Sequence, residues 1–381
     1  MKRIGIFGGT FDPFHNQHLN IANTAYHKLS LDEVWILPTK QNPLKDSVSA
    51  SDQQRVDMIN LVIKNYSWIK LNDYELTSKQ PSYTINTIND FIENYPNHKF
   101  FFIIGSDNLY ILNKWQGIEQ LINLVKIIVV NRPHYRKTLE LMSKYKCQNL
   151  VVRPSSDISS AKIRNGEIIN QIDIKINDYI NNNLIYSYER LKANLDNNRT
   201  EHCINVGKMA VKLAIHYNED ANKALIAGTY HDLCKQWSKN KMTKFLTKYN
   251  KEILQEPFPI WHGYVAALYL KNHYQYHDDL VLHAIAKHTT GATEMKPLEL
   301  IVLLADKISI ERNHYYVEEL RKLAFQDLTV AFKYYLEILK KHLIEQKKPL
   351  NNKFLTIYET WSNKNFNCKI KKDTYIKIKL C

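Results

Sequence analysis

Two short stretches carry residues whose types and spacing could do chemistry. The first is "GGTFDPFHNQH" (8–18), in which Gly8 and Gly9, a proline and two histidines stand between an apolar run and a helix-like segment. Glycines after a strand let backbone approach a ligand closely, with N–H groups facing it. His15 and His18 are three residues apart, which at a helix start sets both imidazoles on one face. Two donors beside a positive helix end suit the charge that builds on a phosphoryl group under attack. Nothing in the stretch has the character of a protein nucleophile. The expected chemistry is direct displacement between two bound substrates, driven by positioning and electrostatics. Further on, "DISSAKIRNG" (157–166) offers Ser159 and Ser160 at an expected helix start and Arg164 one turn in, a second anion-binding arrangement.

The second stretch is "TYHDLCKQ" (229–236), where His231 and Asp232 sit inside an apolar segment. His202, His262, His288 and Asp306 complete the candidates, and Asp306 follows the apolar run "LELIVLLA". A carboxylate at the end of such a run needs a partner. Nitrogen and oxygen donors without thiolate suit iron, manganese, zinc or magnesium, and a helix-bundle interior is where such donors assemble. His283 is an additional histidine whose place is core or surface more than ligand.

The elements that must position these residues differ between the two halves. Strand-like runs at Arg3–Phe7, Glu33–Leu37, Ile69–Asn72, Lys99–Ile104, Lys126–Val130 and Asn149–Arg153 alternate with helical spacing at Leu19–Leu29, Ser51–Lys64 (Ser51 as N-cap) and Thr84–Tyr95. This alternation predicts an α/β doubly wound parallel sheet, with ligands beyond the carboxyl ends of its strands. After about residue 186 the strand signal fades and helical periodicity takes over, so an all-α domain is expected. The polar stretch "RLKANLDNNRT" (190–200) marks the boundary, giving domains 1–188 and 189–381.

Composition narrows the function classes. The 381 residues are 44% hydrophobic, enough for two cores, and no run reaches the roughly 20 apolar residues of a membrane span. Five scattered cysteines without a CxxC pair fit reduced thiols in a cytoplasmic protein. The net charge is +14, but the lysines are dispersed and form no dense block with interleaved aromatics. That disfavours nucleic acid and leaves small polyanionic substrates or a merely lysine- and asparagine-rich composition to account for the charge.

With "PTKQNPLK", "PSYT", "IGSD", "VVNRP" and "ISSAKIR", the first stretch resembles the nucleotidylyltransferase superfamily, and residues 1–186 resemble bacterial nicotinate-nucleotide adenylyltransferase. The resemblance implies a Rossmann-like domain that makes nicotinate adenine dinucleotide and pyrophosphate from nicotinate mononucleotide and ATP with Mg2+. It implies that Gly8, Gly9, Thr10, Phe11, His15 and His18 contact the nucleotide and the reacting phosphate. It assigns Ser159, Ser160 and Arg164 to the ATP phosphates, and Lys45, Tyr83, Thr84, Asp107, Trp115 and Arg132 to the nicotinate nucleotide. Two positions depart from the family: Gln17 where glycine is usual before the second histidine, and Ala161 where threonine follows the serines.

The order H…HD…H…H…D resembles the HD phosphohydrolase superfamily. "NRTEHCINV", "AGTYHDLCK", "HGYVAA", "AIAKHTTG" and "LLADKISIER" are similar to its symmetrical diadenosine-tetraphosphate hydrolases over residues 196–320. This implies cleavage of diadenosine tetraphosphate (Ap4A) to two ADP at one or two divalent metals, commonly iron. His202, His231, Asp232 and Asp306 would be core ligands, His262 and His288 would serve a second metal, and Lys235 would touch phosphate. The expectation is therefore a bifunctional enzyme. Two alternatives stay open at this point: an HD half acting on another nucleotide, and a chain that senses nucleotides or binds nucleic acid.

Overall fold

The computed structural model describes residues 1–40, 49–78, 83–132, 135, 137–153 and 158–363. The chain divides into two compact units: Met1–Ala193 together with Asn272–Tyr276, and Asn194–Lys271 with the residues from His277 onward. Among the described residues no helix is long and apolar enough to cross a membrane.

The first unit is built on six strands: β1 (Lys2–Gly9), β2 (Glu33–Pro38), β3 (Ile69–Leu71), β4 (His98–Gly105), β5 (Lys126–Val130) and β6 (Gln148–Leu150). They form one sheet in the order β3-β2-β1-β4-β5-β6, with every neighbouring pair parallel. The strands are apolar on both faces because both are covered. Ile4, Ile6, Phe100, Phe102, Ile104, Ile127 and Val129 enter one core. Phe7, Phe101, Ile103, Ile128 and Val130 enter the other. This period-two division makes the sheet doubly wound, as expected. Ser51 caps the Asp52–Ile63 helix by accepting from the Gln54 N–H. The last strand lies at Gln148–Leu150 and not at Asn149–Arg153. It is an edge strand whose sequel, Val151, is exposed, so apolar content there did not mark pairing.

The second unit is all-α in its described residues. The helices Asn197–His216, Ala221–Tyr230, Trp261–Asn272, Asp279–Lys287 and Pro297–Ile308 carry the candidate ligands or end beside them. Two of these helices cross where Gly207 meets Gly228: a Cβ on Gly228 would lie 2.8 Å from the Gly207 Cα. The Gly–Gly contact lets the helix bearing His202 approach the one that ends at His231. Among the described cysteines, Cys147, Cys203 and Cys234 are free. Burial pushes the Cys203 and Cys234 thiols up, so neither is a ready nucleophile.

The boundary differs in character from its composition. Arg190 is fully buried. Its guanidinium donates to Asn181 Oδ1 at 2.8 Å and lies 4.3 Å from the centroid of the Tyr274 ring. The segment Asn272–Tyr276, which joins two helices of the second unit in sequence, belongs to the first. Asn177 and Asn181 both donate to the Tyr274 carbonyl, at 2.9 and 2.8 Å, and His273 Nε2 lies 2.6 Å from the Gly166 carbonyl.

Candidate active sites

In the first unit β1 ends at Gly9 and β4 at Gly105, paired neighbours whose connections leave to opposite sides. That is the switch point of a doubly wound sheet, where ligands bind. His15 is the N-cap of the Asn16–Lys28 helix and His18 its third residue; both are buried. Their rings stack at 3.6 Å between centroids. The His15 backbone N–H donates to His18 Nδ1 at 3.2 Å. A neutral His18 therefore bears its proton on Nε2. Burial, followed by the charge of Arg132, holds His15 down to about 3, so its ring is neutral at pH 7.

The loop around them is pinned from several sides. Arg164 donates from Nη1 to the Asp12 carbonyl at 2.8 Å, and Ser160 Oγ donates to the Pro13 carbonyl at 3.3 Å. Ser159 caps the short Ser160–Arg164 helix. Asp12, itself buried, accepts from the Ser49 and Ala50 N–H groups and from the Tyr186 hydroxyl. Arg55 donates to the Thr10 carbonyl at 2.6 Å and to Asp52 at 2.7 Å. The Phe11 ring meets His18 edge-on at 4.9 Å. A Cβ on Gly8 would touch only the tip of the Phe102 ring, at an ordinary 3.5 Å, so packing of the protein against itself does not demand glycine there.

Phe102 also links this centre to the acceptor candidates, since Trp115 packs edge-on against it at 6.1 Å. Tyr83 occupies the N-cap position of the Thr84–Asn94 helix without a side-chain cap bond and is exposed, while Thr84 is half-buried. Asp107 pairs with Arg132 at 3.2 Å. Lys45 lies outside the described residues. Gln17 is half-buried and Ala161 exposed. Asp12, Arg55 and Tyr186 were not singled out by sequence. Asp12 stands inside the motif itself; Arg55 and Tyr186 carry no local signal.

In the second unit the six candidates converge, all buried. Three groups have ligand atoms within 4.8 Å of one another: His202, His231 and Asp232; His231, His288 and Asp306; Asp232, His262 and His288. Asp232 divides its oxygens. Oδ1 lies 3.1 Å from His262 Nε2 and 3.4 Å from His288 Nε2, and Oδ2 lies 3.6 Å from His231 Nε2. His202 Nε2 faces Asp306 Oδ1 at 3.1 Å. The outward nitrogens fix the ring orientations. His231 Nδ1 contacts the Gly228 carbonyl and His288 Nδ1 the Ile285 carbonyl, each at 2.7 Å, and His202 Nδ1 contacts the Glu311 carboxylate. Each Nδ1 must donate, which leaves a lone pair on each Nε2 facing the centre.

Lone pairs facing carboxylate oxygens in a buried space call for a cation. The Nε2 atoms of His202 and His231 are buried without a hydrogen-bond partner. Burial holds His231 down to about 3 and His262 to about 4, so both are neutral and free to ligate at pH 7. Burial alone would raise Asp232, but His231, His262 and His288 outweigh it and keep the carboxyl well below its usual range. Cations surround the centre. Arg199 donates to Asp232 Oδ2 at 3.1 Å, and Arg312 and Lys307 each lie 2.6 Å from an Asp306 oxygen. Lys235 Nζ lies 3.0 Å from His262 Nε2, and burial lowers its pKa. His283 is exposed and outside the cluster. Sequence reading missed Arg199, Glu311, Arg312 and Lys307. All four stood within the quoted motifs: Arg199 three residues before His202, and Lys307, Glu311 and Arg312 one, five and six after Asp306.

A family model described as cytidylyltransferase-like matches residues 6–166, and the HD domain model matches residues 199–311. A Mycoplasma genitalium protein, described as a probable nicotinate-nucleotide adenylyltransferase/Ap4A hydrolase, is 34% identical over 340 residues, covering 87% of this chain and 96% of the relative. The chain belongs to the nicotinate-nucleotide adenylyltransferase/Ap4A hydrolase family. A Mycoplasma pneumoniae protein of the same description is 31% identical over 344 residues, covering 88% of this chain and 98% of that one. A solved Clostridium acetobutylicum structure, described as a predicted HD superfamily hydrolase involved in NAD metabolism, is 32% identical. It covers 46% of this chain and 95% of that one, with a TM-score of 0.44. In this family the first unit is the transferase-like half and the second the HD half.

Proposed function

We propose that the chain is a bifunctional enzyme. The first unit passes AMP from ATP to nicotinate mononucleotide, giving nicotinate adenine dinucleotide and pyrophosphate. The HD unit splits Ap4A into two ADP. One observation carries the reading. A chain spanning 96% of a relative described with both activities carries two constellations of its own: the stacked His15–His18 pair and the six-residue His/Asp cluster.

In the transferase unit His18 presents Nε2–H to the transferred phosphoryl group. The His15 N–H holds that tautomer, so the donor needs no reorganisation as charge develops. Arg164, tied by one N–H to the Asp12 carbonyl, keeps the rest of its guanidinium for the ATP phosphates, beside Ser159 and Ser160. Magnesium accompanies ATP as its counter-ion. Gly8 admits the nucleotide closely, and Trp115 with Tyr83 and Thr84 frames the nicotinate ring.

In the HD unit His202, His231, Asp232 and Asp306 would hold one divalent ion and Asp232, His262 and His288 a second, with Asp232 shared. Such ions, iron being the family's common choice, supply Lewis acidity and neutralise a polyphosphate. The protein's own part is orientation. The Gly228 and Ile285 carbonyls and Glu311 aim the imidazoles, and Lys235 and Arg199 stand where the phosphates would arrive. Incubating the full chain with each substrate pair and separating products by chromatography tests the reading. Nicotinate adenine dinucleotide from one mixture and two ADP from the other are expected; ATP plus AMP from Ap4A would contradict the symmetrical cut.

A further inference from the structure

By its bonds, Ap4A is an ATP whose terminal phosphate carries an AMP. Transfer of AMP from ATP to a phosphate oxygen makes that same kind of bond. Only the acceptor differs: a mononucleotide 5′-phosphate in one case and the γ-phosphate of ATP in the other. Whether one site serves both depends on what frames the acceptor.

That frame is open. Tyr83 is 40% exposed and the Arg132 side chain 42%. Strict rejection of a wrong acceptor needs buried polar groups that the wrong acceptor would leave unpaired. Among the described residues, Tyr83, Thr84, Asp107, Trp115 and Arg132 contribute no such unpaired buried atom. Beside this frame stands a feature that mononucleotide adenylylation leaves without a task. Tyr110 and Tyr135 are 44% and 48% exposed, with ring centroids 6.2 Å apart. Tyr110 follows Asp107 by three residues, and Tyr135 forms a backbone bridge with Arg132. The Tyr135 carbonyl accepts from Ser106 Oγ at 3.0 Å, and Ser106 Oγ accepts from the Arg132 N–H at 2.9 Å. An acceptor with two more phosphates than a mononucleotide carries its base further from the attacked phosphorus. It needs a cation along the way and an aromatic surface at the end. Arg132 and the tyrosine pair supply both.

We propose that the transferase unit also transfers AMP to the γ-phosphate of a second ATP, with the acceptor's phosphates along Arg132 and its adenine on the Tyr110–Tyr135 pair, and so makes the dinucleotide that the HD unit removes. The proposal rests on the bifunctional reading above. A γ-phosphate oxygen of the acceptor bonds to the α-phosphorus of the donor, and the donor's bond from α-phosphorus to bridging oxygen breaks. Pyrophosphate leaves with that electron pair, and the product is Ap4A. The acceptor oxygen is already ionised at neutral pH, so no proton need be removed. Hydrolysis then adds one water and returns two ADP.

The test uses the full chain with Asp232→Ala, so that the product survives, incubated with ATP and magnesium alone. Ap4A and pyrophosphate should accumulate in equal amounts, in proportion to protein; adding nicotinate mononucleotide should suppress Ap4A, while pyrophosphate then forms in step with nicotinate adenine dinucleotide. His18→Ala in the same background should abolish the accumulation; product that persists would come from a contaminant and would overturn the proposal. Replacing Tyr110 and Tyr135 by alanine should lower Ap4A formation about tenfold, the scale of one base–aromatic stack. Adenylylation of nicotinate mononucleotide should stay within about twofold. Equal loss of both reactions, or of neither, would overturn the assignment of the ring pair. Two controls separate this proposal from its foundation: the Asp232→Ala protein must make nicotinate adenine dinucleotide, and the unaltered chain must cleave added Ap4A. If both controls succeed and ATP alone yields no Ap4A, the proposal is wrong and the bifunctional reading stands. If the controls fail, the bifunctional reading falls.

Discussion

The hydroxyl of Tyr186 donates to Asp12 Oδ1 at 2.7 Å, across 174 residues of sequence. Asp12 Oδ2 lies 3.8 Å from Arg164 Nη1, close enough to compete for the guanidinium proposed to hold the ATP phosphates. Tyr186 helps satisfy the carboxylate, so that Arg164 hydrogen-bonds the Asp12 carbonyl and meets the carboxylate only at ion-pair distance. Tyr186→Phe keeps the ring in the core and removes the donor. Loss of one hydrogen bond to a buried charge costs about 1.5–3 kcal/mol, part of which appears as Arg164 turning toward Asp12. Steady-state kinetics should show kcat/KM for ATP lower by about tenfold. Ap4A hydrolysis in the same protein should not change; a parallel fall in both activities would mean the hydroxyl only supports folding.

His18→Ala should lower kcat for adenylyl transfer by about 100-fold or more, the usual cost of one transition-state donor. ATP affinity should change far less, because the Nε2–H acts on charge that develops during transfer. Near-normal turnover in the variant would remove His18 from the reacting centre.

Glu75 is buried, and burial pushes its pKa up to about 7 against a hydrogen bond from Thr87 Oγ1 at 3.0 Å. Its folded-state pKa lies above the unfolded value of 4.5, so its contribution to stability is full below pH 4.5 and is lost as pH rises through about 7. Glu75→Gln should therefore gain stability over the parent at pH 8 relative to pH 5. Denaturant unfolding at the two pH values checks this, and a variant difference independent of pH would contradict it.

The strands of the first unit were legible where burial made them continuous, as at Lys126–Val130, whose bounds match. The six His/Asp positions were legible because a charged or imidazole group inside "ALIAGTYHD" or after "LELIVLLA" breaks an apolar pattern. Their supports were not, since a guanidinium or carboxylate finds its partner through the fold. Glu311 meets His202 across 109 residues and Arg55 meets Thr10 across 45. The boundary shows the same limit, although the division between Ala193 and Asn194 falls inside the polar 190–200 stretch. Composition marks 190–200 as solvent-facing, yet Arg190 is buried because Asn181 and the Tyr274 ring satisfy its charge.

The assignment of Asn272–Tyr276 to the first unit, which composition does not mark, has a measurable consequence. A fragment of residues 1–193 lacks Asn272–Tyr276, so the Asn177 and Asn181 amides lose the carbonyl to which they donate. Each unsatisfied buried group costs about 1–3 kcal/mol. The fragment should melt about 5–10 °C below the corresponding transition of the full chain. Equal melting temperatures would show that the segment adds nothing to the first unit.

If one chain houses two separate chemistries, paired substitutions should separate them. Wild type, His18→Ala and Asp232→Ala are assayed side by side with nicotinate mononucleotide plus ATP and with Ap4A. Bound metal is counted by plasma emission in the same samples. His18→Ala should lose adenylyl transfer and keep hydrolysis and its metal. Asp232→Ala, which removes the carboxylate shared by two of the three ligand groups, should keep transfer and lose both hydrolysis and metal. Hydrolysis that survives Asp232→Ala, or the loss of both activities in either variant, would contradict that separation.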